Sequence, residues 1–442
     1  MRPPASAGPG SAARAGGAPS SAQAWGDALA AVAAGMIAML VVAALGLWAT
    51  GAGDLPGGAF PRVVAVVVVM AAGGSVELSG EAGIIARTNA AIDVVPLSVT
   101  LAGALVTAAV FLWPLRLRAV AGTQELLGRV ARTALLWLLL LLLLALAARH
   151  SFRVPVGGGV TEDVTEDLGA APTAGFRADV PATLGFGLLW VLAVLALTFI
   201  VSRRAPLSSR LLRFQRSVRP PAFAMLSVLL GYVAIGLIVG LVSLITQGHP
   251  AETLASMLFG LPNLAWIALG VGMGGAWQGH VAQGIGLPMP PVLDQVLRGR
   301  GGNRTLDMGA VAAYDGRAWL LVAVAAVVLL AGGFLAAVRS PARMPPWRHA
   351  LEMAVALALT LLVVGLVTRI SAHYGLSLVG VGDLGGGLRG AVSLQPDLLR
   401  LVAAGAAWGL VTGFLGSLLA RRVRHPGDVR DAQAPTPGDG ER

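Results

Sequence analysis

The 442-residue chain is 56% hydrophobic and only 12% charged, with a mean hydropathy of +0.77, far from the roughly one-quarter charged make-up of a soluble domain. All 32 basic residues are arginine and give a formal charge of +10, but they sit in short clusters between apolar runs, which is the pattern of membrane-protein loops and not of a nucleic-acid surface. The absence of cysteine excludes disulfides, thiolate metal sites and cysteine nucleophiles.

Residues 1–24 are Ala, Gly, Pro and Ser with little hydrophobic surface, so they read as a disordered cytoplasmic tail. A bilayer core of ~30 Å needs ~20 helical residues. Runs that meet or approach this lie at 27–49, 93–113, 134–148, 183–202, 222–246, 318–338, 350–371 and 398–420. Two further apolar segments, 60–76 and 254–276, contain a Pro and end in a glycine pair, punctuation that a continuous spanning helix usually avoids. The expected fold class is therefore an all-α polytopic integral membrane protein with about eight transmembrane helices and two re-entrant or broken segments, making ten hydrophobic segments.

Loop charge sets the topology. The connection bearing Arg203, Arg204, Arg210, Arg213, Arg216 and Arg219 has no acid and is expected inside. The acidic stretch with Glu162, Asp163, Glu166 and Asp167 then falls outside, and the loops with Arg116 to Arg132 and with Arg339 to Arg348 fall inside, as do both termini. That parity holds if 60–76 and 254–276 dip in and return to the same side. The location expected is the bacterial cytoplasmic membrane.

An internal duplication is visible in the residues. Pro61 precedes Gly73 and Gly74 by the interval that separates Pro262 from Gly274 and Gly275; Ala90 to Asp93 match Ala312 to Asp315; Pro181, Trp190 and Arg203 match Pro396, Trp408 and Arg421. The division expected is a first membrane repeat at 25–204, a basic amphipathic linker at 205–220, a second repeat at 221–424 and a polar tail at 425–442. The repeats are read as parallel, related by an axis along the membrane normal. In the linker, Leu207, Leu211, Phe214 and Val218 form an apolar stripe flanked by arginines, so Arg210, Arg213, Arg216 and Arg219 are candidates for a surface helix that meets anionic lipid.

Gly73, Gly74 and Ser75, followed by Ala91, Ile92, Asp93, Pro96 and Leu97, resemble the streptophobe family of actinobacterial membrane proteins, as do Leu261, Pro262, Asn263 and the run Asp315 to Leu321. The resemblance covers residues 25–420, with Ser98 standing where that pattern has Gly. It implies a polytopic membrane protein and brings no activity and no site residues.

The candidate binding residues are Gly73, Gly74, Ser75, Asn263, Gly272, Gly274 and Gly275, which would line a pocket between the repeats if the two segments face each other; close helix packing is the other reading of these glycines. Arg62, Glu77, Asp93, His280, Asp315 and Arg317 border the segments as a candidate polar vestibule, with Asp93 and Asp315 also read as helix N-caps. No histidine spacing suggests metal, no cofactor is expected, and the middles of the spans are free of charge, which argues against a carboxylate-driven pump. Three functions stay open: a transporter-like or channel-like protein for a small solute, a non-transporting envelope scaffold or regulator, and a membrane enzyme. The partners expected are the bilayer, anionic lipid at the linker and, on the transporter-like reading, a small solute, not nucleic acid.

Overall fold

The computed structural model describes residues 21–54, 58–82, 86–114, 123–153, 173–202, 209–246, 248–281, 304–340, 344–378 and 389–422. Its helices are α1 (Ser21–Ala49), α2 (Phe60–Ala71), α3 (Leu97–Leu112), α4 (Thr123–Ala147), α5 (Val180–Val201), α6 (Ser209–Thr246), α7 (Pro250–Gly272), α8 (Met308–Tyr314), α9 (Leu320–Arg339), α10 (Pro346–Val367) and α11 (Leu398–Ala420). Eight helical stretches are long and apolar enough to cross a membrane, those of α1, α4, α5, α6, α7, α9, α10 and α11; α2 and α3 are shorter apolar helices. In hydrocarbon every peptide group must find its partner within the protein, and a helix does so within one segment. The chain is a multi-pass helical membrane protein. Its first helix already includes Ser21 to Ala24, which the sequence assigns to the tail. Residues 1–20, 160–168 and 425–442 lie outside the described residues.

The connections on one side of the helices form a feature with no counterpart in the sequence reading. Strands β1 (Val76–Ala82), β2 (Ala86–Val94), β3 (Arg149–Arg153), β4 (Thr173–Ala178), β5 (Trp277–Val281), β6 (Arg304–Leu306), β7 (Ile370–Leu378) and β8 (Arg389–Pro396) make one antiparallel sheet in the order β3-β4-β1-β2-β7-β8-β5-β6. The last four strands repeat the order of the first four, shifted by four. The two blocks meet where β2 pairs with β7 over nine residues, from Ala86 opposite Leu378 to Val94 opposite Ile370.

The sheet divides the helix ends into two sets. The C-terminal ends of α2, α4, α7 and α10 and the N-terminal ends of α3, α5 and α11 run directly into strands, while α9 follows β6 through α8 and a 3-10 turn at Gly316–Trp319. The opposite ends carry the arginine clusters. There Arg129 of α4 approaches Asp27 of α1 at 3.5 Å, and the guanidinium of Arg339 at the end of α9 lies 3.5 Å over the Phe223 ring of α6. Thus α1 starts on the arginine side, and α6, ~34 Å long from Phe223 to Thr246, ends on the sheet side. Helix α7 begins four residues later and runs into β5, so both its ends adjoin the sheet side, although by length and composition it is one of the eight helices able to cross. It is one continuous helix with Pro262 inside, not a broken segment. Helix α2, ~18 Å long, also rises to the sheet from below. The 16-residue α3 does connect the two sides, with Leu97 beside the sheet and the Phe111 carbonyl bonded to Arg129. Its expected span of 93–113 is shortened because Asp93 and Val94 belong to β2.

Aromatic residues mark both margins. Trp25, Trp113 and Trp347 are exposed at arginine-side helix ends, and Trp48, Tyr314 and Trp319 at sheet-side ends, as amphipathic rings at a bilayer boundary should be. By contrast Trp137, Trp266 and Trp277 are buried within the bundle. The basic linker is not a separate surface helix. Residues from Ser209 onward form the first turns of α6, which continues through Pro220 and Pro221. The two prolines remove two intrahelical donors, in a stretch that precedes Phe223 at the arginine-side end of the helix.

Helix α11 packs through its small residues. A Cβ on Gly409 would come within 2.6 Å of the Met353 carbonyl of α10, and one on Gly416 within 2.6 Å of the Phe334 nitrogen of α9. Such close approach of backbones drives association where no hydrophobic effect operates between helices. Replacing Gly409 by leucine is expected to destabilise the fold by about 1–3 kcal/mol, the usual cost of overpacking, read as a lower melting temperature in detergent. Leu410→Ala, on the exposed face beside it, should leave the melting temperature nearly unchanged.

Candidate functional site

The two glycine pairs close α2 and α7 in the same way. Gly73 (φ +91°) and Gly274 (φ +90°) adopt the left-handed conformation that stops a helix. The Gly74 N–H donates to the Val69 carbonyl at 3.0 Å, as the Gly275 N–H donates to that of Gly270 at 2.8 Å. The residue after each turn then accepts from the start of a later helix: the Asp179 N–H reaches the Ser75 carbonyl at 3.2 Å, and the Asp397 N–H reaches that of Ala276 at 2.9 Å. Both aspartates also cap their helices, accepting from Ala182 and Arg400 N–H groups. These hydrogen bonds align Asp179 with Asp397, three residues away from the alignment that pairs Pro181 with Pro396. Likewise Val76 faces Ile92 as Trp277 faces Leu306, so Asp93 corresponds to Asp307 and not to Asp315.

The surroundings of these glycines are filled. A side chain on Gly74 would meet Val69 at 2.7 Å, one on Gly272 the Leu321 carbonyl at 2.7 Å, one on Gly275 the Leu401 side chain at 2.7 Å, and one on Gly73 the Phe186 Cβ at 3.0 Å. Only Gly274 among the six candidate positions other than Asn263 combines a glycine with open space; Ser75 is half-buried. The two turns also do not face each other across a twofold axis. An axis would join like strand edges, whereas β2 is joined to β7, the counterpart of β3. Helix α7 therefore lies in the joint between the halves, while α2 packs on α1 and α4 of its own half.

Asn263 is the polar group that fastens this joint. It is 7% exposed; its Oδ1 accepts from the Leu97 N–H at 3.1 Å and its Nδ2 donates to the Val95 carbonyl at 3.1 Å. Helix α3 starts at Pro96 without a side-chain cap of its own, so Asn263 caps it from the other half of the chain, the task that sequence reading gives to Asp93. Ser98 adds a hydrogen bond to the Met257 carbonyl at 2.8 Å. At the α7 turn, Trp408 Nε1 donates to the Met273 carbonyl at 3.1 Å and Arg400 Nε to that of Gly274 at 2.9 Å, with Asp307 3.8 Å from the Arg400 guanidinium. Arg400, Asp307 and Trp408 were not among the sequence candidates, because nothing local sets them apart from ordinary loop and interface residues.

The polar vestibule is spread over the structure. Arg62 is half-buried in the first turn of α2; Glu77 is exposed on β1 opposite Ala91, and Asp93 exposed on β2 opposite Ser371. His280 lies in β5 opposite Ser393, three strand spacings or ~14 Å from β2. Asp315 caps the 3-10 turn before α9 by accepting from the Arg317 N–H at 2.8 Å, so its capping role stands and its meeting with Arg317 runs through the backbone. Among the described residues no group of three or more His, Asp or Glu could hold a metal. Arg210, Arg213, Arg216 and Arg219 occupy the first turns of α6. A more enclosed charge pair lies on the same side: Arg129 meets Asp27 at 3.5 Å, donates to the Phe111 carbonyl at 3.0 Å and stacks on the Phe111 ring at 4.9 Å, joining α1, α3 and α4.

Replacing Asn263 by leucine strands the Leu97 N–H and the Val95 carbonyl, each of which costs about 1–3 kcal/mol when buried without a partner. A clear fall in detergent melting temperature is expected. Arg400→Ala, which removes a half-exposed ion pair, should cost less than about 1 kcal/mol.

Compared with known proteins, the chain matches no family model, no curated protein and no solved structure.

Proposed function

We propose that this chain is a scaffold of the bacterial cytoplasmic membrane, made of two tandem parallel repeats that hold one continuous sheet on the outer face. The observation that carries the reading is the sheet itself: four strands from each half, in the same order, joined edge to edge. A connection built only to link transmembrane helices needs a few residues. Here the links pair over spans of up to nine residues with strands hundreds of positions away, which makes a rigid platform fixed to the ends of the helices. The repeat reading is further supported by the paired glycine turns and by the like contacts of Gly35 with Thr107 and of Val228 with Gly332. The arginine-rich ends face the cytoplasm by the positive-inside rule, where the first turns of α6 meet anionic lipid. Membership of the streptophobe family belongs to the same proposal and rests on the residues that show the resemblance.

A solute pathway between the repeats has less support, because the glycine turns that would line it are pressed against Phe186, Val69, Leu321 and Leu401. An enzyme has less still: Ser227 spends its hydroxyl on the Phe223 carbonyl one helical turn back.

Single cysteines test orientation and role in this cysteine-free chain. Glu77→Cys on the sheet should react with a membrane-impermeant maleimide on intact cells, and Arg348→Cys only after permeabilisation. Ser75→Cys should never be labelled from the arginine side, and proteoliposomes holding the protein should leak small polar solutes no faster than empty ones. Labelling of Ser75→Cys from both sides, together with solute flux, would replace the scaffold by a transporter.

A further inference from the structure

The joint between the two halves is a pattern that the chain leaves open at both ends. Within the molecule, β2 at the edge of the first block pairs with β7, and α1 below it packs Gly46 against Phe259 of α7. The counterpart of β2 is β6, that of β7 is β3, and that of α1 is α6. Among the described residues the outer edges of β6 and β3 carry no strand partner. The helix that corresponds to α1 is bare as well: 11% of the most apolar stretch of α6 is buried, against 39% of that of α1. Leu237, Ile238, Val239, Val242 and Ile245 of α6 are exposed there. Lipid can cover the helix, but it offers nothing to the unpaired peptide groups of a strand edge, which are a template for another strand.

Resting on the tandem-repeat reading, we propose that a second copy of the chain docks head to tail, with β6 of one copy pairing antiparallel with β3 of the next and α6 receiving the next copy's α2. The internal ladder sets the register. Ile92 lies opposite Ala372 and Ala91 opposite His373. Ile92 corresponds to Leu306, since each faces the first residue of its neighbouring strand, Val76 or Trp277. Tracing β3 through β4 to β1, and β7 through β8 to β5, aligns Phe152 with Ala372 and Arg153 with His373. The intermolecular ladder then places Leu306 opposite Phe152 and Thr305 opposite Arg153. Unlike edges meet, so the contact is heterologous and continues from copy to copy until a ring closes. Between β6 and α9, residues Met308 to Trp319 have no equivalent in the first half, where Pro96 alone separates β2 and Val95 from α3. They add the exposed Tyr314 and Trp319 to this end of the molecule.

Cysteine cross-linking of the full-length protein in its own membranes tests this. Thr305→Cys with Arg153→Cys in one chain should lose its monomer band to reducible dimers and higher species under mild oxidation. The two single variants, co-expressed with different tags, should cross-link only to each other. Ala91→Cys with His373→Cys should form an intrachain bond and reports the internal joint alone. If that bond forms while Thr305→Cys and Arg153→Cys stay monomeric, docking is wrong and the tandem reading survives; if it fails to form, both are wrong. Native mass spectrometry of the unmodified protein released from membranes gives a reading independent of substitution: multimers are expected, and monomers alone would overturn the proposal.

Discussion

A peptide group at the edge of the bilayer core must be bonded before the chain can turn, and this chain meets that demand on one side with a sheet. Each helix that ends there passes its last carbonyls to a turn, a cap or a strand within two to five residues. The left-handed glycines at 73 and 274 let α2 and α7 stop abruptly, and the N–H groups of Asp179 and Asp397 bond the carbonyls just past them. The aspartate side chains then start α5 and α11. Helix ends and strands are thereby one bonded system, and the relative depth of the helices follows from the register of the sheet.

The same constraint bears on α2 and α7, whose C-terminal ends both run into the sheet. A helix that finishes there without having come from the far side has to bury one flank against its neighbours. α2 does this as a short helix. α7 does it at crossing length by lying in the joint, where Asn263 bonds the start of α3 and Trp266 Nε1 donates to the Leu229 carbonyl of α6 at 3.2 Å. Hydrogen bonds from one helix flank to two neighbours in apolar surroundings fix orientation more strictly than dispersion contacts, because a displaced partner leaves a buried polar group unpaired.

Much of this was legible in the residues. Apolar length gives most of the long helices, and the Pro–Gly-Gly punctuation singles out the two helices that stop on left-handed glycines. The sheet was not legible. A strand such as Ala86–Val94, with sequence ARTNAAIDV, has no clean alternation, and its partner β7 lies almost three hundred positions away. No local pattern encodes such a pairing. Nor was Asn263, for its counterpart in the first half is Arg62, a half-buried charged residue in the first turn of α2. The side chain matters only because a second segment arrives beside it. An unusual backbone and a close neighbour call for the same residue as a pocket does, so sequence alone leaves both readings of these glycines open.

The two halves differ where their neighbours differ. In the first half, β2 and α1 are covered by the second half, and the chain passes from strand to α3 through only Val95 and Pro96. In the second half, the equivalent place carries Met308 to Trp319 and an exposed span in α6. The α7 turn carries Trp408 and Arg400 on its carbonyls, whereas at the α2 turn Thr100 Oγ1 donates to the Ala71 carbonyl at 2.7 Å and Trp190 stacks on Trp137 instead. Two units share a backbone plan as long as the same caps, turns and ladders satisfy their peptide groups. Their side chains are free to follow what packs against them. The shared plan therefore lies in hydrogen bonds that sequence identity barely records, and the divergence lies in the surfaces where one half has a neighbour and the other does not.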